Sequence, residues 1–192
     1  MKLQGRTAIE EALAAVGERL AHAQEPCTIV ILGGAALNLL AIVDRPTIDV
    51  DVLAQADDTG AIRPPDPLPE TLRRAIAAVA RDRGLSENWM NTTVADQWRF
   101  GLPPGLAERI EWRRYGALRV GIVARRDLIC FKLYASSDQP GPDSVHVRDL
   151  LALKPNAEDL EWSAAWVRAQ DSSTGFHAVV AKVVAYVQDA LL

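Results

Sequence analysis

The stretch Thr28-Ile-Val-Ile-Leu32-Gly-Gly34-Ala-Ala-Leu-Asn38-Leu-Leu-Ala-Ile-Val43-Asp-Arg45-Pro-Thr47-Ile-Asp49-Val-Asp51-Val-Leu53 decides how this chain is read. Residues 28–32 are apolar, rich in β-branched side chains and too few for a helix, so they form a buried strand. Gly33 and Gly34 break it. Residues 35–43 read as a short apolar helix and residues 44–46 as a turn. Residues 47–53 alternate in polarity, as a half-buried strand does.

Working outward, Ile9, Leu13, Val16 and Leu20 recur at helical spacing, which predicts an amphipathic helix over 7–23. The proline-rich residues 54–69 form a loop. Residues 70–83 carry Leu72, Ile76, Val79 and Ala80 on one helix face, closed by Gly84. After an irregular stretch over 89–105, two strands are expected at 109–113 and 118–123, joined as a hairpin at Tyr115-Gly116. Helices are expected at 127–135, 144–153, 157–169 behind Asn156 as N-cap, and 175–191. The order predicts an α+β fold: a small mixed sheet with flanking helices over residues 1–126, and a helical C-terminal part over 127–192 packed on it.

The 192 residues carry a net charge of −4, with 49% hydrophobic and 24% charged residues, values that exclude a disordered chain and a strongly basic nucleic-acid sleeve. Cys27 and Cys130 each sit inside an apolar run, the usage of buried free thiols in a reducing compartment. The first residues lack the apolar core of a secretion signal. The longest apolar stretch, residues 29–43, is interrupted by two glycines and Asn38 and is too short to span a bilayer. A cytoplasmic protein without a membrane partner is the expectation.

The chemistry concentrates in the opening stretch. A strand that ends in two glycines and opens a helix exposes backbone N–H groups at the positive end of the helix dipole, and such a turn can hold a triphosphate. Asp49 and Asp51, two apart on one strand, project from the same face with Cα atoms roughly 6.6 Å apart. Two hard oxygen ligands at that spacing suit Mg²⁺ or Mn²⁺. Gly33-Gly34-Ala35 lacks the third glycine of Gly-x-Gly-x-x-Gly, which disfavours a Rossmann cofactor site.

These residues resemble the minimal nucleotidyltransferase superfamily, the polymerase β-like fold, whose signature is an apolar residue, Gly-Gly or Gly-Ser, a helix and an Asp-x-Asp strand. Gly33-Gly34 with Arg45-Pro-Thr47-Ile-Asp49-Val-Asp51 looks most like the form in AbiE-type toxin nucleotidyltransferases and related bacterial proteins. Residues 127–135, with Lys132, and His146-Val-Arg-Asp149-Leu150 are similar to the downstream helical pair of that group. The resemblance spans residues 28–155.

The resemblance implies a metal-dependent enzyme that moves a nucleoside monophosphate from an NTP to an acceptor hydroxyl on a tRNA end or a protein. It also implies the toxin half of a toxin–antitoxin pair, with a cognate antitoxin as partner. Gly33 and Gly34 would cradle the phosphates, and Asp49 and Asp51 would hold the metal. Lys132 would neutralise phosphate charge, with Asp149 as its partner or as a support of the site. Arg45 and Thr47 would orient Asp49 or a phosphate. The third carboxylate is the departure: Glu111 is the best candidate for that catalytic role, with Glu108 and Asp127 as competitors. Without it, the alternative is a catalytically inactive protein of the same fold that binds a nucleotide or a partner protein. An antibiotic-modifying enzyme would want an acidic acceptor cleft.

His146 reads as a partly exposed structural residue or as a base. No Cys or His pair has zinc spacing. Trp162 and Trp166, four apart, read as packing of the C-terminal helix against the domain. Trp89 and Trp98 bracket Asn91-Thr-Thr93, a stretch that could wall a nucleotide pocket. Residues 73–154 carry a charge of +5 and the remainder −9, so a local phosphate-attracting surface is compatible with the acidic total.

Overall fold

The computed structural model describes residues 2–138, 141 and 144–191. Its contacts divide the chain into two compact units, Met1–Val123 and Ala124–Leu192. The fold is mixed α+β, with an open mixed sheet flanked by helices.

In the first unit, helix α1 (Gly5–Ala23) leads into strand β1 (Cys27–Leu32), helix α2 (Gly33–Leu39) and strand β2 (Val50–Ala56). A two-residue strand β3 (Ile62–Arg63), helix α3 (Glu70–Arg83) and a second two-residue strand β4 (Met90–Asn91) follow. Two 3-10 segments, Thr93–Arg99 and Leu106–Arg109, precede the hairpin of β5 (Glu111–Tyr115) and β6 (Leu118–Ile122). The sheet runs β3-β2-β1-β6-β5, with β1 and β6 parallel and the other pairs on this path antiparallel. The outer edge of β2 is shared: β3 pairs with Gln55 and Ala56, while β4 lies parallel along Val50 and Asp51.

The helical stripes read from the sequence form the core. Ile9, Leu13, Val16 and Leu20 of α1 are fully buried, and so is Leu72 of α3, with Ile76, Val79 and Ala80 nearly so. Gly84 closes α3 in a left-handed conformation, where its N–H reaches the last turn.

The opening stretch differs from its sequence reading in two ways. Helix α2 begins on Gly33 itself and stops at Leu39, earlier than residue 43, because Ala41 turns into left-handed backbone (φ 57°). Strand β2 begins at Val50 rather than at Thr47. Thr47 instead makes an isolated antiparallel bridge with Leu3, with Leu3 N–H donating to Thr47 O at 2.9 Å and Thr47 N–H to Leu3 O at 3.0 Å. Asp49 therefore stands just ahead of β2 and Asp51 within it.

The second unit consists of α4 (Arg125–Asp138), α5 (Val145–Ala152), α6 (Ala157–Gln170) and α7 (Thr174–Ala190). Ser144 caps α5, and Asn156 with Asp159 forms a capping box on α6. Trp166 packs edge-to-face on Phe131 at 5.4 Å and on Tyr134 at 6.4 Å, so its packing partners lie on α4. The Arg126 guanidinium lies 4.4 Å from the centre of the Trp162 ring. Cys27 and Cys130 are both free thiols. Cys130 is buried against the Ser163 hydroxyl at 3.4 Å, and burial pushes the Cys27 thiol pKa up. Among the described residues, no helix is long and apolar enough to cross a membrane.

Candidate functional site

The β1–α2 turn and the start of β2 meet because the two strands pair antiparallel with Leu32 opposite Asp51. Gly33 follows Leu32 with φ +77°, a backbone region that L side chains rarely adopt. A β-carbon there would run into the Asp51 carboxylate. At Gly34 a β-carbon would lie 2.8 Å from Thr47 Oγ1 and 3.5 Å from Arg45 Nη2. Both glycines are thus required by close approach, and what approaches is the set of polar side chains read from the sequence. Gly33, Gly34, Arg45, Thr47 and Asp51 are gathered at one corner of the sheet, with Asp49 beside them in the chain.

Buried polar side chains hold this corner. Asn38, fully buried on α2, donates from Nδ2 to Gly34 O at 2.9 Å and accepts from the Arg45 backbone N–H at 3.2 Å. It ties the glycine turn to the loop that carries Arg45. The Thr47 hydroxyl donates to Asp49 O at 3.2 Å, which curls the loop into β2. Thr47 is a residue the resemblance assigns to orienting Asp49 or a phosphate, whereas Asn38 shows in the sequence only as a polar residue inside an apolar helix.

Strand β4 adds a side chain from far along the chain. Asn91 pairs with Asp51 across the parallel β4–β2 ladder, and its Nδ2 lies 3.5 Å from Asp49 Oδ2. The tryptophans that bracket this segment fix it from below. Trp89 is fully buried, with Nε1 donating to Ile76 O at 3.1 Å, and Trp98 Nε1 donates to Leu53 O at 2.7 Å. Trp89 is therefore a core residue, and the part of the stretch that reaches the carboxylates is Asn91.

The other expected residues are placed apart from this corner or in the second unit. Glu111 opens the edge strand β5 and is exposed, paired with Ile122 of β6. From β2 to β5 is three strand steps, about 14 Å at ordinary sheet spacing. Glu111 does not join Asp49 and Asp51. Glu108 is exposed, in the 3-10 segment Leu106–Arg109. Asp127 is fully buried in α4 of the second unit. Among the described residues, no group of three His, Cys, Asp or Glu side chains gathers as a metal cluster.

Comparison with protein-family models, with curated proteins and with solved structures finds no match to this chain. Its site is read from its own residues.

Lys132 lies in the second unit, where its Nζ donates to Asp149 Oδ2 at 2.7 Å. The side chains are 9% and 2% exposed, so this is a buried ion pair between α4 and α5. Asp149 is the partner of Lys132, one of the two roles the sequence allowed. His146, at the start of α5, donates its backbone N–H to the Ser144 hydroxyl at 3.2 Å.

Proposed function

We propose that this protein is a metal-dependent nucleotidyltransferase that moves a nucleoside monophosphate from an NTP to an acceptor hydroxyl. The observation that carries the reading is the glycine turn pressed against the carboxylate strand: Gly33 against Asp51, and Gly34 against Thr47 and Arg45. A turn without side chains of its own exposes its backbone N–H groups, and the first N–H groups of a helix have no intrahelical partner. Oxygen-rich phosphates fit such donors. Asp49 and Asp51, both half-buried, supply hard oxygens suited to Mg²⁺ or Mn²⁺ in reach of the same turn.

In this reading Gly33 and Gly34 cradle the phosphates, while Asp49 and Asp51 hold the cation. Thr47 and Arg45 orient Asp49 or a phosphate oxygen. The cation, when bound, stabilises charge on the attacked α-phosphate and on the leaving oxygen. The acceptor oxygen bonds to the α-phosphorus, the α–β bridging oxygen departs with its electron pair in pyrophosphate, and the hydroxyl proton passes to water. A tRNA end or a protein side chain is the acceptor, and the protein works in the cytoplasm as the toxin of a toxin–antitoxin pair. Lys132, held by Asp149, belongs to this reading by resemblance alone.

A second reading, a protein of this fold that binds a nucleotide or a partner without catalysis, is favoured by the separation of Glu111 from the carboxylate pair. One experiment decides between them. Purified protein is incubated with each α-labelled NTP, Mg²⁺ and bulk RNA or cell extract, beside the Asp49→Ala, Asp51→Ala variant. Label transfer by the wild type alone supports the enzyme; retained NTP binding with no transfer supports the binding protein.

A further inference from the structure

We infer that Asn91 is a positioning residue for Asp49: its side-chain amide donates to the carboxylate and so aims it, and it does not itself act as a metal ligand. The inference rests on the reading of Asp49 and Asp51 as cation ligands and adds a residue to it.

The orientation of the Asn91 amide is settled by its neighbours. Oδ1 accepts from the Thr93 backbone N–H at 2.9 Å, and a backbone N–H can only donate. Nδ2 must therefore be the atom on the other side. Its two protons face two acceptors, Asn88 O at 3.3 Å and Asp49 Oδ2 at 3.5 Å. Flipping the amide to offer its oxygen to a cation would set two acceptors against each other at Asn88 and leave the Thr93 N–H facing a donor. The amide is locked as a donor toward Asp49.

The segment carrying Asn91 is itself fastened. The Trp89 carbonyl accepts from Val50 N–H at 2.6 Å, and the Thr92 hydroxyl donates to Asp66 Oδ1 at 2.7 Å. The loop around Asp66 is clamped by the buried Gln55 amide, which donates to Pro65 O at 2.7 Å and Pro67 O at 2.9 Å. Asn91 is thus built on β4, next to the ladder that holds Asp51, with its donor fixed in space.

The consequence follows from charge. Two carboxylates at one strand end repel each other, and Asp49, outside the strand, has no ladder to fix it. A donor on Oδ2 occupies one oxygen and leaves Oδ1 for the cation. Outer partners of metal ligands commonly contribute 10–100-fold in metal affinity, and catalytic hydrogen bonds that are long without ligand tighten when it binds.

Two measurements test this, with Mn²⁺ as the probe. In metal-free protein, Asp49→Ala shifts the side-chain amide resonances of Asn91 in a ¹H–¹⁵N spectrum; unchanged resonances overturn the inference. In Mn²⁺ titrations followed by the signal of the free ion, Asn91→Ala weakens binding about tenfold. Asn91→Leu, of nearly the same shape but without the donor, weakens Mn²⁺ binding to the same degree, which keeps the test alive if the alanine variant folds poorly. Affinity equal to wild type in both variants overturns the inference and leaves the proposed function standing. A wild type that binds no Mn²⁺, with the Asn91 amide still responding to Asp49→Ala, counts against the proposed function and leaves the Asn91–Asp49 link in place.

Discussion

At the β1–α2 corner Asp49 and Asp51 stand half-buried with like charges close in the chain, whereas in the α4–α5 pair Lys132 and Asp149 are almost wholly buried with opposite charges in contact. The two regions handle charge by different means. In the ion pair an opposite charge in contact offsets the loss of water. Asp49 accepts from the neutral Asn91 amide, and Asp51 is approached so closely by Gly33 that its position depends on the absence of a side chain there. A buried pair is a stabilising device only while both members remain; the strand-end carboxylates are the ones that the proposed function gives to a cation.

The largest expected effect comes from breaking the pair. Lys132→Met leaves the Asp149 carboxylate buried without its ammonium and destabilises the second unit by about 3–5 kcal/mol. Hydrogen exchange of the α4 and α5 amides reads this directly. The double variant Lys132→Met, Asp149→Leu recovers most of the loss, because an apolar pair of similar volume has no charge to desolvate. If the double variant is no more stable than the single one, the loss does not come from the stranded Asp149 charge.

At the corner, Gly33→Ala combines left-handed backbone strain of about 1–2 kcal/mol with a β-carbon against the Asp51 carboxylate. The expected loss is smaller than for Lys132→Met, is confined to the first unit, and is read as faster exchange in α2 and β2. An unchanged exchange pattern would mean that the turn has slack and does not cradle anything tightly.

The smallest effect concerns two exposed carboxylates, one in each unit. Asp57 accepts from the Thr59 hydroxyl and from the Thr59 and Ala61 backbone N–H groups, and the hydroxyl bond chiefly lowers its pKa. Asp171 accepts from the Ser173 backbone N–H, which chiefly lowers its pKa. Both are ionised more readily folded than unfolded, so their contribution is complete above the ordinary aspartate range and is lost as pH falls through the lowered values. Asp57→Asn and Asp171→Asn should each lower the thermal midpoint slightly near neutral pH, with the difference closing in acid. A difference that widens in acid would reverse the sign of the argument.

The glycine corner was legible because each of its signals is local. A β-branched run, two glycines and an alternating segment are read in order along the chain, and antiparallel pairing of β1 with β2 then brings Gly33 to Asp51 without further information. Lys132 and Asp149 were legible as partners by resemblance, and the structure joins them. What could not be read is what depends on residues distant in sequence. Strands β3 and β4 are two residues each, too short to show a period, and they exist because the edge of β2 offers them a ladder. Asp49 falls outside β2 because Thr47, which alternates like a strand residue, is taken by Leu3 instead. The donor that reaches Asp49 comes from Asn91, in an irregular stretch that the sequence offers as a wall of a nucleotide pocket without pointing to Asp49. The edge position of Glu111 follows from strand order, which spacing along the sequence does not specify.

The bridge between Leu3 and Thr47 has a practical side. Leu3 is 3% exposed and closes both of its backbone hydrogen bonds on the residue that faces Gly34 and bonds the Asp49 carbonyl. The segment ahead of α1 is therefore a fastener for the carboxylate loop. A change at Leu3 that breaks this bridge unzips Thr47 and lets the loop swing while the core of α1 stays folded, so a protein that passes every test of foldedness can still lose the proposed site.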